Sequence, residues 1–531
     1  MSWRARIALG WGAVAFVAAL ALAGAPGLSS AEAATISAGI RTAGWVVSAP
    51  RQPAASAAGL AELSNQRGRP LLAETFHGFA GAGGERLGLG PIRGLRLGAA
   101  LAAGLLAAAL ALAGFTLGGV PVALLAPAAF WFTPRTVPFA WMVTPDLLGA
   151  LLWFAAVQAY SRSLASPTRL GRAHAGLWSA GLGAAAAAVR PDLASIWLVL
   201  ALHWGLGRFH LAWLARHDGP TPRPAVDWGA RLRRIPTAVG AALLLIPATV
   251  LACWPGAWSA PLRSLGPLLA AVGWGQPAPA VNPVVLLLAA TPAPAVALLA
   301  LGAGHAALRL VRALRRHDGE VSARETLWLL AGLLPLLLAA VGLAPRLPGL
   351  SPLVQGLAPL ALLGARALPA LAELAWPSRK LAVSSLLALS LVYPGLRAAA
   401  DTFPLGGSTW GEPLGGAPGA AWRGWPRQDG GEAVRGVLDD LGRHAVPGAR
   451  ILWIGAAPWA VQRYRQAGLI RADLVDAAGV DEADLAVVAR DGTGEAELET
   501  WTAFGTDRPA SGLFLDEVAL VLVYARPGAW R

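Results

Sequence analysis

Apolar spans dominate residues 7–398, and charge is confined almost entirely to the segments between them. The spans read at 7–24, 94–114, 117–133, 147–161, 176–189, 193–208, 236–256, 283–308, 327–343, 353–372 and 382–398. Several are shorter than the roughly 20 residues that a helix needs to cross a bilayer, so their ends are soft, but the pattern gives eleven crossings. Charged residues make up 14% of the chain, against roughly 25% in an ordinary soluble domain. A water-soluble globule of 531 residues could not hide a 56% hydrophobic content. The chain reads as an integral membrane protein.

The arginines orient it. With the N-terminus inside, the expected inner loops carry Arg162, Arg169 and Arg172, then Arg208, Arg216, Arg223, Arg231, Arg233 and Arg234. The next two carry Arg309, Arg312, Arg315, Arg316 and Arg324, then Arg379 and Lys380. The short outer loops hold about one each, at Arg135, Arg190, Arg263 and Arg346. This is the asymmetry of the positive-inside rule, and shifting the register by one span would reverse it. The net charge of +13 is therefore a topology signal. It does not gather into one basic domain, which argues against nucleic-acid binding. A single cysteine, Cys253, excludes disulfides and cysteine metal sites.

Four regions follow. Residues 1–24 form a first membrane helix, with a cleaved signal peptide as the competing reading because small residues follow the span. Residues 25–93 form a first outer loop, in which 32–48 and 56–80 read as amphipathic helices lying on the membrane surface. Residues 94–398 form the helical bundle. From 399 the composition turns soluble, and 399–531 reads as a small outer α/β domain with strands at Ile451–Ile454, Leu485–Val488 and Val518–Tyr524 and helices at 430–444 and 458–467. The expected fold class is an all-α polytopic membrane protein carrying a C-terminal α/β domain.

That topology puts a set of ionisable groups at the outer face. They are Glu32 just beyond the first span, Arg69, Glu74 and His77 in the first loop, Arg135, Asp146 at the start of the fourth span, and Arg190 in Arg190-Pro191-Asp192. Each taken singly also fits a solvated or dipole-complementing helix end. Taken together they suit transfer from a lipid phosphate. Guanidiniums hold a phosphate bidentately, and a carboxylate takes the acceptor's proton. Glu74 and His77, three residues apart, share one helix face and are weak candidates for metal ligands, but two ligands fall short of a site. No cofactor is named with certainty, and a divalent metal is left open.

The order of short motifs resembles family 39 glycosyltransferases, the GT-C membrane enzymes that include protein O-mannosyltransferases and aminoarabinose transferases. Ser30-Ala31-Glu32-Ala33-Ala34 through Gly44-Trp45-Val46-Val47 to Pro50 resembles their opening, and Arg69-Pro70-Leu71-Leu72 their lysine-proline segment. Gly90-Pro91-Ile92 to Arg96-Leu97-Gly98-Ala99, Thr144-Pro145-Asp146-Leu147-Leu148 and Leu182-Gly183 to Arg190-Pro191 follow in the family's order. Gly415–Ala421, Trp501 to Thr506, Asp516-Glu517-Val518 and Tyr524–Pro527 resemble the outer domain of bacterial members.

The resemblance implies a GT-C bundle of about eleven helices in a bacterial cytoplasmic membrane, with the C-terminal domain periplasmic. It implies a polyprenyl-phosphate sugar donor, a lipid, glycan or protein acceptor, and direct inverting displacement. The family's catalytic acidic pair falls on Ala31 and Glu32, its second acidic residue on Asp146, and its lysine on Arg69. Glu32 and Asp146 are thus the expected catalytic residues, and Arg69, Arg190 and Arg135 the expected donor-phosphate ligands. Ala31 departs from the family's aspartate and Thr35 from its tyrosine. A catalytically degenerate scaffold is one alternative that this leaves. A transporter of lipid-linked sugar is another, although such proteins usually show internal repeats and mid-membrane polar sites.

Overall fold

The structure is a computed structural model that describes residues 2–131, 136–217, 235–258, 282–341, 353–428, 430–490 and 495–531, together with Pro261 and Gly266. Arg135, Arg223, Arg231, Arg233, Arg234, Arg263 and Arg346 lie outside the described residues.

The chain folds as a helical bundle with a small sheet domain at one end. Helix α1 (Trp3–Leu22) packs along α5 (Leu97–Trp131). Between them, α2 (Ser30–Ser48), α3 (Pro53–Arg67) and α4 (Leu72–Arg86) form the first loop. The expected helix over 56–80 is in fact two. Gly68 takes a left-handed φ of 62° that closes α3, a conformation L side chains resist, and Pro70 follows before α4 begins.

Helix α5 holds two crossings. Its backbone breaks at Gly118 (φ −162°) and Gly119 (φ 73°), and the chain doubles back. A Cβ on Gly114 would lie 2.7 Å from the Val122 carbonyl, whereas eight residues of straight helix would put these about 12 Å apart. Then come α6 (Pro145–Ala165), α7 (Arg169–Val189), α8 (Ile196–His217), α9 (Thr237–Ala252), the short α10 (Pro283–Ala290), α11 (Ala293–Arg315), α12 (Gly319–Ala340), α13 (Val354–Ala375) and α14 (Lys380–Asp401). Among the described residues, six helical segments are long and apolar enough to cross a membrane. They include α1, α5, α11, α12 and α13. The chain is a multi-pass membrane protein.

The bundle core explains the alanine-rich composition. Ala102, Ala103, Ala107, Ala126, Ala156 and Ala186 are fully buried around Trp153, Phe154 and Trp328. Inside a bilayer no hydrophobic force drives helix on helix, so association rests on close packing, which small residues permit. The basic clusters at the end of α6 (Arg162), the start of α7 (Arg169), the end of α11 (Arg312, Arg315) and the junction before α14 (Arg379, Lys380) all sit at helix ends remote from the sheet domain.

The sheet domain has strand order β2-β1-β3-β5-β4, with β1 Arg450–Ile454, β2 Val475–Asp476, β3 Leu485–Ala489, β4 Ser511–Leu515 and β5 Val518–Ala525. The first three strands are parallel and the last two antiparallel. Helices Pro458–Gln466 and Glu495–Phe504 flank it. The expected helix over 430–444 is a 3-10 turn, Glu432–Val437, leading into Leu438–His444. Strand β3 is buried along its whole length, which is why it reads as a continuous apolar run. Strands β2 and β4 were not anticipated. The first spans two residues, and both lie at sheet edges where no strong apolar pattern is required.

The domain does not stand apart from the first loop. Leu28, Ile36, Ile92, Leu95 and Val143 are buried in the same apolar core as Val434, Val437, Ile451 and Tyr464. This shared core fixes the loop over the sheet end of the bundle.

Candidate active site at the sheet end of the bundle

Helix α2 starts with Ser29 at its N-cap, accepting a hydrogen bond from the Glu32 N–H at 3.2 Å. Serine followed three residues on by glutamate is the pattern of a capping box, in which the glutamate would reach back to the cap. Here Glu32 turns inward instead. Its Oε1 accepts from Arg96 Nε at 2.7 Å and its Oε2 from Arg96 Nη2 at 2.6 Å. Both side chains are fully buried. The other Arg96 protons go to the carbonyls of Ala23, Pro26 and Gly27 at 2.6–2.9 Å, so all five of its donors are used. Glu32 Oε1 accepts a further bond, from the Val143 N–H at 3.2 Å. Ala31, the position of the family aspartate, is exposed on the same helix.

The second cluster is built on α4, which crosses α2 where Gly39 meets Gly78 so closely that neither has room for a Cβ. Glu74, fully buried, receives Arg69 Nη2 at 2.7 Å and Arg67 Nη2 at 3.4 Å, both on Oε1. Its Oε2 is buried with no hydrogen bond, and so is the Nε of each arginine. Burial alone would raise the Glu74 carboxyl, but Arg69 and Arg67 outweigh it and hold it below its ordinary value. One turn on, His77 sets Nε2 3.2 Å from the Thr144 carbonyl, which makes Nε2–H the donor and leaves Nδ1 unpartnered. Burial pushes this imidazole down to about 4, so it is neutral at physiological pH.

The third cluster lies at the start of α6. Thr144 is the N-cap and Pro145 opens the helix, where its missing N–H costs nothing. Asp146 follows in the first turn and is 6% exposed. Its Oδ1 accepts from Arg190 Nη1 at 2.6 Å, while Arg190 also grips Asp192 through Nε at 3.1 Å and Nη2 at 2.6 Å. Burial works against the Arg190 charge, but the two aspartates outweigh it and keep the guanidinium protonated. Asp146 Oδ2 has no hydrogen-bond partner among the described residues.

One short segment joins all three. The Val143 N–H meets Glu32, the Thr144 carbonyl meets His77, and Asp146 meets Arg190. Of the residues expected at the site, Glu32, Arg69, Glu74, His77, Asp146 and Arg190 therefore gather around 143–146, and Arg135 lies outside the described residues. Sequence reasoning missed Arg67 and did not give Arg96 or Asp192 a role. Arg96 and Asp192 stand in segments it had marked, but nothing in a single chain pairs residues 64 positions apart. No group of three potential metal ligands occurs among the described residues. Glu74 and His77 do not fit a cation well, because two guanidiniums already occupy the glutamate.

No protein-family model matches the chain, and no curated protein matches it. Solved structures do. ArnT from Cupriavidus metallidurans in the apo state superposes with a TM-score of 0.52 over 97% of both chains at 13% identity. The same protein bound to undecaprenyl phosphate gives 0.45 at 14% identity over 96% of each chain. The archaeal oligosaccharyltransferase AglB from Archaeoglobus fulgidus gives 0.46 at 10% identity, over 92% of this chain and 70% of that one. The chain shares the fold of ArnT, a polytopic helical bundle closed at one end by a small α/β domain.

Proposed function

We propose that the chain is a membrane glycosyltransferase that moves a sugar from a polyprenyl-phosphate donor to a lipid, glycan or protein acceptor at the periplasmic face of a bacterial inner membrane. The N-terminus is then cytoplasmic and the sheet domain periplasmic. The observation that carries this reading is the difference between the buried carboxylates. Glu32 has both oxygens committed to Arg96, whereas Asp146 bonds Arg190 through Oδ1 alone and Glu74 keeps Oε2 unpartnered beside two arginines, Arg67 and Arg69, whose Nε groups are also unpartnered.

Asp146 is the proposed general base. The acceptor oxygen attacks the anomeric carbon, the bond from that carbon to the phosphate oxygen breaks, and the acceptor proton passes to Asp146. One displacement inverts the anomeric centre. The leaving polyprenyl phosphate takes the electron pair, and Arg69, Arg67 and Arg135 neutralise its charge. Arg190 is taken up by two aspartates, so its proposed role is to aim Asp146. Glu32 with Arg96 positions the 143–146 segment on which the base stands.

One observation favours a second reading, a non-catalytic scaffold: an exposed alanine occupies the position of the family aspartate. Transfer assayed in membranes separates the two. Asp146→Asn is expected to abolish a transfer that the parent performs. Polyprenyl-phosphate binding without turnover on any acceptor, in parent and variant alike, would support the scaffold. Undiminished transfer by Asp146→Asn would remove the proposed base.

A further inference from the structure

Helix α6 carries Asp146 at one end and Arg162 near the other, about 24 Å away at 1.5 Å per residue. Around that far end lies a cavity of about 190 Å³, bounded by the α5 turn at Thr116 and Leu117, the last turns of α6, and the first turns of α12. Its polar lining is unusual for the rim of an apolar bundle. Arg162 and Arg324 both line it. Arg162 makes no ion pair among the described residues, and Arg324 has only Glu320, at 3.6 Å and largely exposed on the rim. The local charge is therefore a net positive one.

Two further groups are left without partners. Gln158 is 9% exposed and its buried Oε1 has no hydrogen bond; Trp328 is 2% exposed and its Nε1 has none either. Unsatisfied buried polar atoms cost roughly 1–3 kcal/mol each, and here two of them line the same cavity as two guanidiniums. Leu117, Leu164 and Leu327 provide an apolar wall beside them. Guanidiniums and an indole N–H are donors for phosphate oxygens, the Gln158 Oε1 accepts from a headgroup hydroxyl, and the leucine wall suits an acyl chain.

We propose that this cavity is a binding site for an anionic glycerophospholipid of the leaflet remote from the sheet domain. Its phosphodiester is held by Arg162, Arg324 and the Trp328 N–H, a hydroxyl of its headgroup donates to Gln158 Oε1, and its acyl chain runs along the leucines. The site is separate from the transfer site and does not depend on the chain being a transferase. Only the name of the leaflet, cytoplasmic, rests on the proposed topology.

The test uses the full chain in phosphatidylcholine nanodiscs with added phosphatidylglycerol, extracted gently and weighed by native mass spectrometry. The parent is expected to retain phosphatidylglycerol. Arg162→Ala with Arg324→Ala is expected to retain it about thirtyfold more weakly. The control double variant Arg312→Ala with Arg315→Ala removes two exposed charges from the same end, and is expected to behave as the parent. Gln158→Leu keeps every charge and is expected to weaken retention about fivefold, which keeps the test decisive if the double arginine variant fails to fold. Equal retention by the parent and the site variants overturns the proposal. So does an equal loss in the control pair, which would mean general attraction to the membrane surface. Inorganic phosphate stabilising the protein as well as phosphatidylglycerol would also overturn it, by making the ligand a free anion.

Discussion

Glu32 meets the 143–146 segment and Asp146 stands on it, yet the chain treats the two carboxylates in opposite ways. Around Glu32 every donor and acceptor is matched: Arg96 spends five protons on five oxygens, and the carboxylate also takes the Val143 N–H. Around Glu74 the matching is incomplete, with Oε2 left over on the carboxylate and Nε left over on Arg67 and on Arg69, all buried, while Asp146 is bonded through Oδ1 only. A buried ion pair of the first kind holds backbone in place. The second kind leaves polar groups in a state that costs free energy unless something else completes it. The sequence names both as catalytic candidates, with Asp146 the better placed; hydrogen-bond bookkeeping separates them in the same sense.

The comparison breaks most visibly at Arg96. Its removal leaves an uncompensated buried carboxylate, which costs about 3–5 kcal/mol, and also strips the carbonyls of Ala23, Pro26 and Gly27 of their donor. Arg96→Ala is expected to yield little folded protein when thermal stability and yield in detergent are measured. Asp146→Asn should do the reverse. It is expected to fold at near-parental yield while losing about 10²–10⁴-fold in transfer rate, the range for a general base. If Asp146→Asn misfolds and Arg96→Ala is stable and inactive, the roles are exchanged.

A smaller effect comes from pH. In the unfolded chain His77 takes up a proton near 6.5, but in the folded protein only near 4. Below 6.5 the unfolded state binds the extra proton, so stability is full above that pH and falls as pH drops from about 6.5 toward 4, by about 3 kcal/mol in all. Glu74, held low by its arginines, adds a loss in the same direction at more acid pH. The rate of heat inactivation should rise across this window in the parent. His77→Gln, which can still donate to the Thr144 carbonyl, should flatten the upper part and leave the lower, carboxylate part. An unchanged slope in that variant would mean that His77 is not buried in its neutral form.

Much of this was legible before any coordinates. The alternation of apolar spans with arginine-rich loops gives crossings and sidedness, because a bilayer enforces both on composition. Spans 94–114 and 117–133 read as separate in the sequence, and the structure puts the turn at Gly118-Gly119, just inside the second. The gathering of Asp146, Arg190, Glu74 and His77 at one face follows from sidedness alone. What stays hidden is pairing: Glu32 with Arg96 and Asp146 with Arg190 are contacts between distant segments, with no local signal in a single sequence. The division of 56–80 was readable from Gly68 and Pro70 in principle, but the amphipathic pattern on either side masked it.

The gentlest test of the comparison lies where the sheet domain touches the first loop. The Leu28 N–H donates to Tyr464 Oη at 2.6 Å, and both residues are buried. This bond fixes the backbone immediately after Pro26 and Gly27, whose carbonyls complete Arg96. Tyr464→Phe removes the acceptor and orphans a buried N–H, at a cost of about 1–2 kcal/mol. If the Glu32–Arg96 cluster is purely a structural clamp, the variant should inactivate faster on heating while the transfer rate and KM per folded molecule stay at parental values. Should KM for the donor rise with stability unchanged, the clamp would instead be sensing the substrate, and the line drawn here between saturated and unsaturated clusters would not separate structure from function.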